Sequence, residues 1–357
     1  MRFELPDAVL GRARSVGEIG KQWLATLDAR IAEREAAWQI RAESVLTGGT
    51  ESLVLTAIGT DGTPAVLKLG LPGTSDLERE GRILDYACGR GYVRLLARDA
   101  GSNALLLERL GPAIAAMHTN AQRADPATTQ GSDPETSHAK GSDARGSDPG
   151  PADSEDSDAE GSDAEGSDSE GSDSFDNALC DALLEAWRPV PADLDLMTGA
   201  EKAHWLADYI SERYAALAPP CPASLVEHAR RLCAARAAAH SPARAVLAHG
   251  DPHANNLLAA GDGRWCFVDP DGLAAEREYD LGVIAREWSD AAFMADPARV
   301  HARRCANLAA RTGCDAEAIG AWGEIERISS AFACFDIGLD AVGARLITAA
   351  TALHEAR

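Results

Sequence analysis

Nowhere in the 357 residues do about 18 uncharged apolar side chains run together, as a membrane-spanning helix would require. The first twenty residues, MRFELPDAVLGRARSVGEIG, place Glu4, Asp7 and Arg12 where a secretory leader needs an apolar run, so the chain reads as cytoplasmic and free of membrane. The eight cysteines are scattered, with no C-x-x-C pair and no histidine at zinc-finger spacing; that excludes a disulfide framework and a zinc module and leaves reduced, mostly buried thiols. A basic excess is missing as well. Lys and Arg number 34 against 56 Asp and Glu, so the cationic footprint that nucleic acid demands is absent. Much of the −22 formal charge is local: residues 121–176 hold 16 acids and 3 bases, and the remaining 40 acids and 31 bases make an ordinary acidic surface, one suited to a cationic ligand.

That acidic stretch repeats GSD at 131, 141, 146, 161, 166 and 171 and has almost no apolar side chains to offset the entropy of ordering its backbone. It is expected to be a disordered, tolerated insertion, with an acidic tether for a basic partner or for metal ions as the sharper alternative. Around it, two blocks differ in period. Residues 16–36 space Ile19, Trp23, Leu24, Leu27 and Ile31 as the stripe of an amphipathic helix. Strand-like runs follow in ESVLTGG, ESLVLTAI and AVLKLG, the last two joined by a TDGTP turn; a helix through SDLEREGRILDYACGR, capped by Ser75 or Thr74 and stopped at Gly89; then strands in YVRLLARD and NALLLERL. From Asn177 the period is helical, over 177–187, 200–218, 223–239, 279–290, 296–312 and 315–355, interrupted only by a strand-like stretch from Ala245 to Pro270. The expected architecture is α+β: an N-terminal sheet lobe over 1–110, a linker near Glu108–Gly111, the start of a second lobe over 111–120, the insertion over 121–176, and a large, mainly helical C-terminal lobe over 177–357.

Polar motifs collect in VLAHGDPHANNLLAAGDGRWCFVDPDG, residues 246–272. Its H-x-D-x-x-x-x-N order sets His249, Asp251 and Asn256 on one loop, and Asp269 ends the apolar strand WCFVD thirteen residues later. Phosphoryl transfer asks for little more than a carboxylate aimed at the incoming hydroxyl and oxygen ligands for the metal ion on the phosphates. Asp251 fits the first role; Asn256 and Asp269 fit the second. Singly, each has a duller explanation as a turn or capping residue, and His249 is the one expected to satisfy buried backbone. Upstream, Lys68 lies between Leu67 and Leu69, where a buried ammonium needs a partner; Glu80 on the following helix can supply it and hold Lys68 against nucleotide phosphates, as kinases do, unless Lys68 merely snorkels from an edge strand. The turn TGGTESL offers Gly48 and Gly49 for close approach to a nucleotide, although the third glycine of G-x-G-x-x-G is missing.

These features together resemble the aminoglycoside phosphotransferase superfamily, and within it the streptomycin 6-kinase and hydroxyurea-resistance kinase branch. The resemblance is carried by AVLKLG, LEREGRIL, LLLERLGP, WRPVP, MTGAEKAHWLADYI, VLAHGDPHANNLL, FVDPDGLAAEREYDLGVIAREW and WGEIERIS, spread over nearly the whole chain outside the insertion. It implies a protein-kinase-like two-lobed fold and use of ATP and Mg²⁺, with Asp251 as base and Asn256 and Asp269 as metal ligands. It further implies that Asp280 braces the active loop, and that backbone groups around Glu108 and Leu110 meet the purine. The implied acceptor is a small molecule bearing a hydroxyl, an aminoglycoside such as streptomycin, with hydroxyurea or a metabolite as the alternative. Asp271, Glu276 and Glu278 are the carboxylates placed to meet a cationic acceptor, or else a solvated charged turn. The competing reading from another class is a non-catalytic binding protein of the same shape that works through its acidic segment.

Overall fold

The computed structural model describes residues 2–47, 49, 51–116, 166–217, 221–261, 263–286 and 291–357, with 166–174 and 291–292 described by backbone alone. Helices α1 (Asp7–Ser15) and α2 (Glu18–Trp38) open the chain and lie on a five-stranded antiparallel sheet of order β1-β2-β3-β5-β4. Its strands are β1 (Ile40–Val45), β2 (Ser52–Gly59), β3 (Pro64–Gly70), β4 (Leu95–Asp99) and β5 (Ala104–Glu108), and α3 (Leu77–Ala87) follows the third. The helix expected over 16–36 is therefore the second of two, because Gly17 takes φ 64 and breaks the run. Gly20 permits their close packing, since a Cβ there would stand 1.8 Å from the Ala13 carbonyl oxygen. Alternation decides what the sheet presents on each side. Ala65, Leu67 and Leu69 join the apolar cluster under α1 and α2, so Val66 and Lys68 project from the opposite face, toward α3 and the second lobe.

Helix α3 starts one residue later than Ser75 or Thr74 would allow: the N-cap is Asp76, whose carboxylate accepts from Arg79 N–H at 3.0 Å. Ser75 and Thr74 spend their hydroxyls on Leu71 O instead. The helix ends at Cys88, which takes the left-handed conformation one residue before Gly89. From there Gly91, Tyr92 and Val93 cross to the second lobe and pair with β8 (Arg264–Phe267), through Val93 N to Phe267 O at 2.8 Å and Phe267 N to Gly91 O at 2.9 Å. The strand expected from Tyr92 thus begins at Leu95. Leu110 is partly buried against the second lobe's core. The linker is tied down as well, with Gly111 N on Ala259 O at 2.8 Å and Ala259 N on Pro112 O at 3.1 Å.

The second lobe is built from α4 (Gly166–Ala186), α5 (Gly199–Leu217), α6 (Ala223–Ala239), the short strands β6 (Val246–Ala248), β7 (Leu257–Gly261), β8 and β9 (Leu273–Ala275), and then α7 (Arg277–Ala285), α8 (Ala291–Ala295), α9 (Pro297–Thr312), α10 (Ala316–Asp336) and α11 (Asp340–Glu355). Two expectations are corrected. The helix expected from Asn177 begins inside the GSD repeat, at Gly166. Phe175 packs on the core, and buried Asp176 holds Arg304 by two bonds of 2.7 and 2.8 Å, so these residues gain the burial that the repeat itself lacks. The helix expected over 315–355 is two, parted where Gly338 adopts φ 76. Of the disorder expected over 121–176, residues 166–176 are helical instead, and 121–165 lie outside the described residues. All eight cysteines are free, and no described helix is long and apolar enough to cross a membrane.

Arg188 fastens the lobes. It is buried, donates to Ala186 O at 2.8 Å and to Ala87 O at 2.9 Å, also reaches Arg90 O, and lies over the Tyr92 ring. It thereby satisfies the carbonyls that the end of α3 leaves open. Replacing Arg188 by Met takes its donors from Ala186 O and Arg90 O and leaves Ala87 O with Arg90 N alone, and urea unfolding is expected to show a loss of about 1–3 kcal/mol.

Candidate active site

The loop from His249 to Asn256 leaves β6 and enters β7, and its shape is imposed by buried groups behind it. Asp280, fully buried on α7, accepts from His249 N and Gly250 N, both at 2.9 Å, and from Trp187 Nε1 at 2.8 Å. Burial pushes its carboxyl up to about 6, against those three donors. His249 is equally buried and stacks on Tyr92, with ring centroids 5.8 Å apart. Its Nδ1 accepts from Asp251 N at 3.1 Å, which leaves the proton on Nε2 to be donated to Val268 O at 3.0 Å. Desolvation lowers its pKa to about 4, so the neutral tautomer that both bonds require is the one present at neutral pH.

The hairpin of β7 and β8 then brings Asn256 beside Asp269. Leu257 faces Phe267, and one step beyond, Val268 N donates to Asn256 O at 2.9 Å. Asn256 Nδ2 donates to Asp251 O at 3.0 Å, so the amide oxygen is the atom left to face the cleft. Asp269 takes φ 61, a left-handed conformation that aspartate tolerates better than most residues. Its Oδ1 lies 2.6 Å from Lys68 Nζ, and Glu80 Oε2 lies 2.7 Å from the same nitrogen. Sheet, α3 and hairpin therefore meet on one ammonium. Burial works against the charge on Lys68, but the two carboxylates outweigh it and raise its pKa. Burial also works to raise Asp269, where the charge of Lys68 prevails and lowers it. Glu80, wholly buried, is pushed up to about 7. Gly272, at φ +74, lets the same turn press against α3, since a Cβ there would meet Ile83 Cδ1 at 2.2 Å.

Asp251 faces the cleft with its side chain about one-third exposed, and it is not alone there. Arg286 Nη2 donates to its Oδ1 at 2.8 Å, and His253 Nε2 lies 3.3 Å from Oδ2. Burial would raise this carboxyl, but the hydrogen bond from His253 and the charge of Arg286 hold it well below the usual carboxylate range. Neither Arg286 nor His253 is singled out by the spacing in the sequence. The only signal for Arg286 was its place at the end of YDLGVIAREW, six residues after Asp280, where an apolar helix carries a lone cation.

Of the three carboxylates expected to meet an acceptor, one stays in the cleft. Asp271 is solvent-accessible and packs against the loop, where a Cβ on Gly250 would stand 2.7 Å from its own Cβ. Crowding there, then repulsion from Asp251, pushes its carboxyl up to about 6. Glu276 is instead buried and spoken for by Trp322 Nε1 at 2.8 Å and Arg236 at 3.2 Å. Glu278 accepts from Asp315 N at 3.1 Å, on the far side of α7. Both carboxylates are engaged in structural contacts, Glu276 by burial at the N-cap of α7 and Glu278 by the first turn of that helix, which sets it against Asp315. Glu108 uses its side chain to accept from Arg94 N at 2.7 Å and its own N–H to donate to Arg94 O at 3.0 Å. Gly49 sits in a tight turn, a Cβ there being 2.9 Å from Ser52 O, and Gly48 lies outside the described residues.

Among the described residues no group of three or more His, Cys, Asp or Glu side chains is arranged to hold a metal ion. One carboxylate and one amide oxygen suit a cation that takes most of its ligands from phosphate and water, as Mg²⁺ does. The family model "Aminoglycoside/hydroxyurea antibiotic resistance kinase" matches residues 37–132 and 165–338. A streptomycin 6-kinase of Streptomyces glaucescens is 28% identical over 353 residues, covering 98% of this chain and 97% of its own. A hydroxyurea phosphotransferase of Kitasatospora aureofaciens is 37% identical over 110 residues, 30% of this chain and 32% of that relative. In fold, a spectinomycin phosphotransferase solved with ADP and spectinomycin superposes with a TM-score of 0.51 at 12% identity, covering 92% of this chain and 93% of that one.

The buried neutral histidine has a measurable signature. Its native pKa, about 4, lies below the 6.5 of an unburied histidine, so the stability it contributes is whole above 6.5 and is lost as pH falls toward 4, a range in which the unfolded chain takes the proton more readily. In thermal melts, the advantage of the wild type over His249→Gln is expected to shrink steadily from pH 7 to pH 4.5; an advantage that stayed constant would show that His249 is not held neutral.

Proposed function

We propose, from the premise that this chain belongs to the aminoglycoside/hydroxyurea antibiotic resistance kinase family and is a small-molecule kinase, that it moves the γ-phosphoryl group of ATP to a hydroxyl of an aminoglycoside, with streptomycin and its 6-hydroxyl as the leading acceptor. The observation that carries the reading is the convergence of Lys68, Asp269, Asn256 and Asp251 on one cleft between the lobes. Two curated relatives named streptomycin 6-kinase match along nearly their whole length, and a phosphotransferase of like fold was solved with ADP; these support the acceptor and the donor.

Lys68, steadied by Glu80, meets the α- and β-phosphates of the nucleotide, and the linker backbone past Glu108 and Leu110 meets the purine. Mg²⁺, when bound, would draw charge from the phosphate oxygens, and Asn256 and Asp269 are the residues that would hold it. Asp251 accepts the hydrogen bond of the acceptor hydroxyl and takes its proton while the new O–P bond forms and the bond from the γ-phosphorus to the bridging oxygen of ADP breaks. A carboxylate held so far below the usual range is a weak proton acceptor, so most of its effect lies in aiming the hydroxyl, which is what a loose transition state needs. Asp271, open beside it, meets a positive group of the acceptor. A hydroxyurea acceptor is the second reading, favoured by the 37% identity to a hydroxyurea phosphotransferase, and it would make no use of Asp271.

Purified protein, ATP and Mg²⁺ incubated with streptomycin, other aminoglycosides, hydroxyurea and common metabolites test the reaction. Asp251→Ala is expected to lower kcat at least about 100-fold while ATP still raises the melting temperature, and Asp269→Ala to weaken nucleotide binding only when Mg²⁺ is present. Near wild-type turnover by Asp251→Ala on the true acceptor would remove that residue from its role. In the same assay Asp271→Asn is expected to raise the KM for streptomycin about tenfold, the loss of about 1.4 kcal/mol of charge pairing, and to leave that for hydroxyurea unchanged.

A further inference from the structure

Helix α7 reaches the active loop twice. Asp280, in its first turn, grips the main chain of His249 and Gly250; Arg286, its C-cap, lies about 9 Å further along the axis and grips the side chain of the next residue, Asp251. The guanidinium is itself braced. Nη1 lies 3.6 Å from Glu326 Oε2 on α10, and Glu326 is buried and fixed by Tyr279 Oη, donating to Oε1 at 2.6 Å, and by Ser329 Oγ at 3.3 Å. An unbroken polar row, Tyr279, Glu326, Arg286, Asp251, therefore runs from the interior of the helical lobe to the cleft.

Building on the phosphotransferase reading, we infer that Arg286 is a positioning residue for the transfer: it fixes the plane of the Asp251 carboxylate, and Glu326 holds it in place from behind. An aspartate side chain turns about two torsions, and only some settings point an oxygen lone pair at an entering hydroxyl. A planar, always-charged fork, buried except for 16% of its side chain and backed by a second carboxylate, selects among those settings in a way that a flexible ammonium cannot. In this role Arg286 acts through Asp251 and needs no contact of its own with nucleotide or acceptor. The competing explanation is that Arg286 serves only to neutralise buried Glu326, in which case the fold needs it and the reaction does not.

The two are separated by measuring melting temperature, nucleotide binding and ADP formation on the full chain with Mg²⁺ and ATP, once with streptomycin as probe acceptor and once with water alone. Arg286→Met is expected to lower kcat about 10- to 100-fold with the KM for ATP within about twofold, and Arg286→Lys to fall between Met and wild type. The double variant Arg286→Met with Glu326→Gln removes the stranded charge; it is expected to regain melting temperature and not kcat, and it serves equally if the single Met variant does not fold. Recovery of kcat together with stability in the double variant, or a kcat for Arg286→Met within threefold of wild type, overturns the inference and leaves the phosphotransferase reading intact. A wild type that forms no ADP under either condition removes that reading, and the inference with it.

Discussion

A buried ammonium cannot stand without countercharge, and Lys68 has two carboxylates from opposite sides of the molecule. One comes from α3, packed on the same sheet; the other comes from a hairpin 201 residues further along the chain. Lys68 and Glu80 would each be costly to bury alone, and Asp269, whose side chain is more than half exposed, adds the second countercharge from the cleft side, so the sheet, the helix and the hairpin settle into one arrangement. The left-handed backbone at Asp269 and the bare Cα of Gly272 follow from that demand, since both let the VDPDG turn come close enough to α3 for its carboxylate to reach the lysine.

Behind the cleft, the active loop is shaped mostly through its backbone. Asp280 and His249 between them take up the N–H groups of residues 249, 250 and 251, and Asn256 takes up the carbonyl of Asp251. None of these bonds constrains the Asp251 side chain; Arg286 at Oδ1 and His253 at Oδ2 do that. The site is thus held in two layers, one that sets where the loop lies and one that sets how its carboxylate is turned.

Much of this was legible in the sequence, and the parts that were not share a cause. Residues fixed by spacing along one loop or across one hairpin, such as Asp251, Asn256 and Asp269, can be paired on paper because local geometry limits where they go. Five strands with one helix after the third were legible for the same reason, from alternation and turn residues. Arg286 was not, because its partner lies across a helix packing that no local period encodes. Glu276 and Glu278 were misread for the converse reason: nearness to Asp269 in sequence says little once a helix begins at Arg277 and turns the chain by about 100° per residue. Asp76 outbid Ser75 and Thr74 as cap because those hydroxyls were taken by Leu71 O, a contact the tripeptide does not announce. The start of α4 inside the GSD repeat depends on Arg304, 128 residues from Asp176.

The pairing of Gly91, Tyr92 and Val93 with β8, together with that of Gly111 and Pro112 with β7, stitches both edges of the hairpin to the chain just before β4 and just after β5, where it passes between the lobes. Two seams on one small hairpin leave no single swivel about which the lobes can swing wide. The hairpin that carries Asn256 and Asp269 is thus a floor held from both sides by main-chain bonds that depend on no ligand.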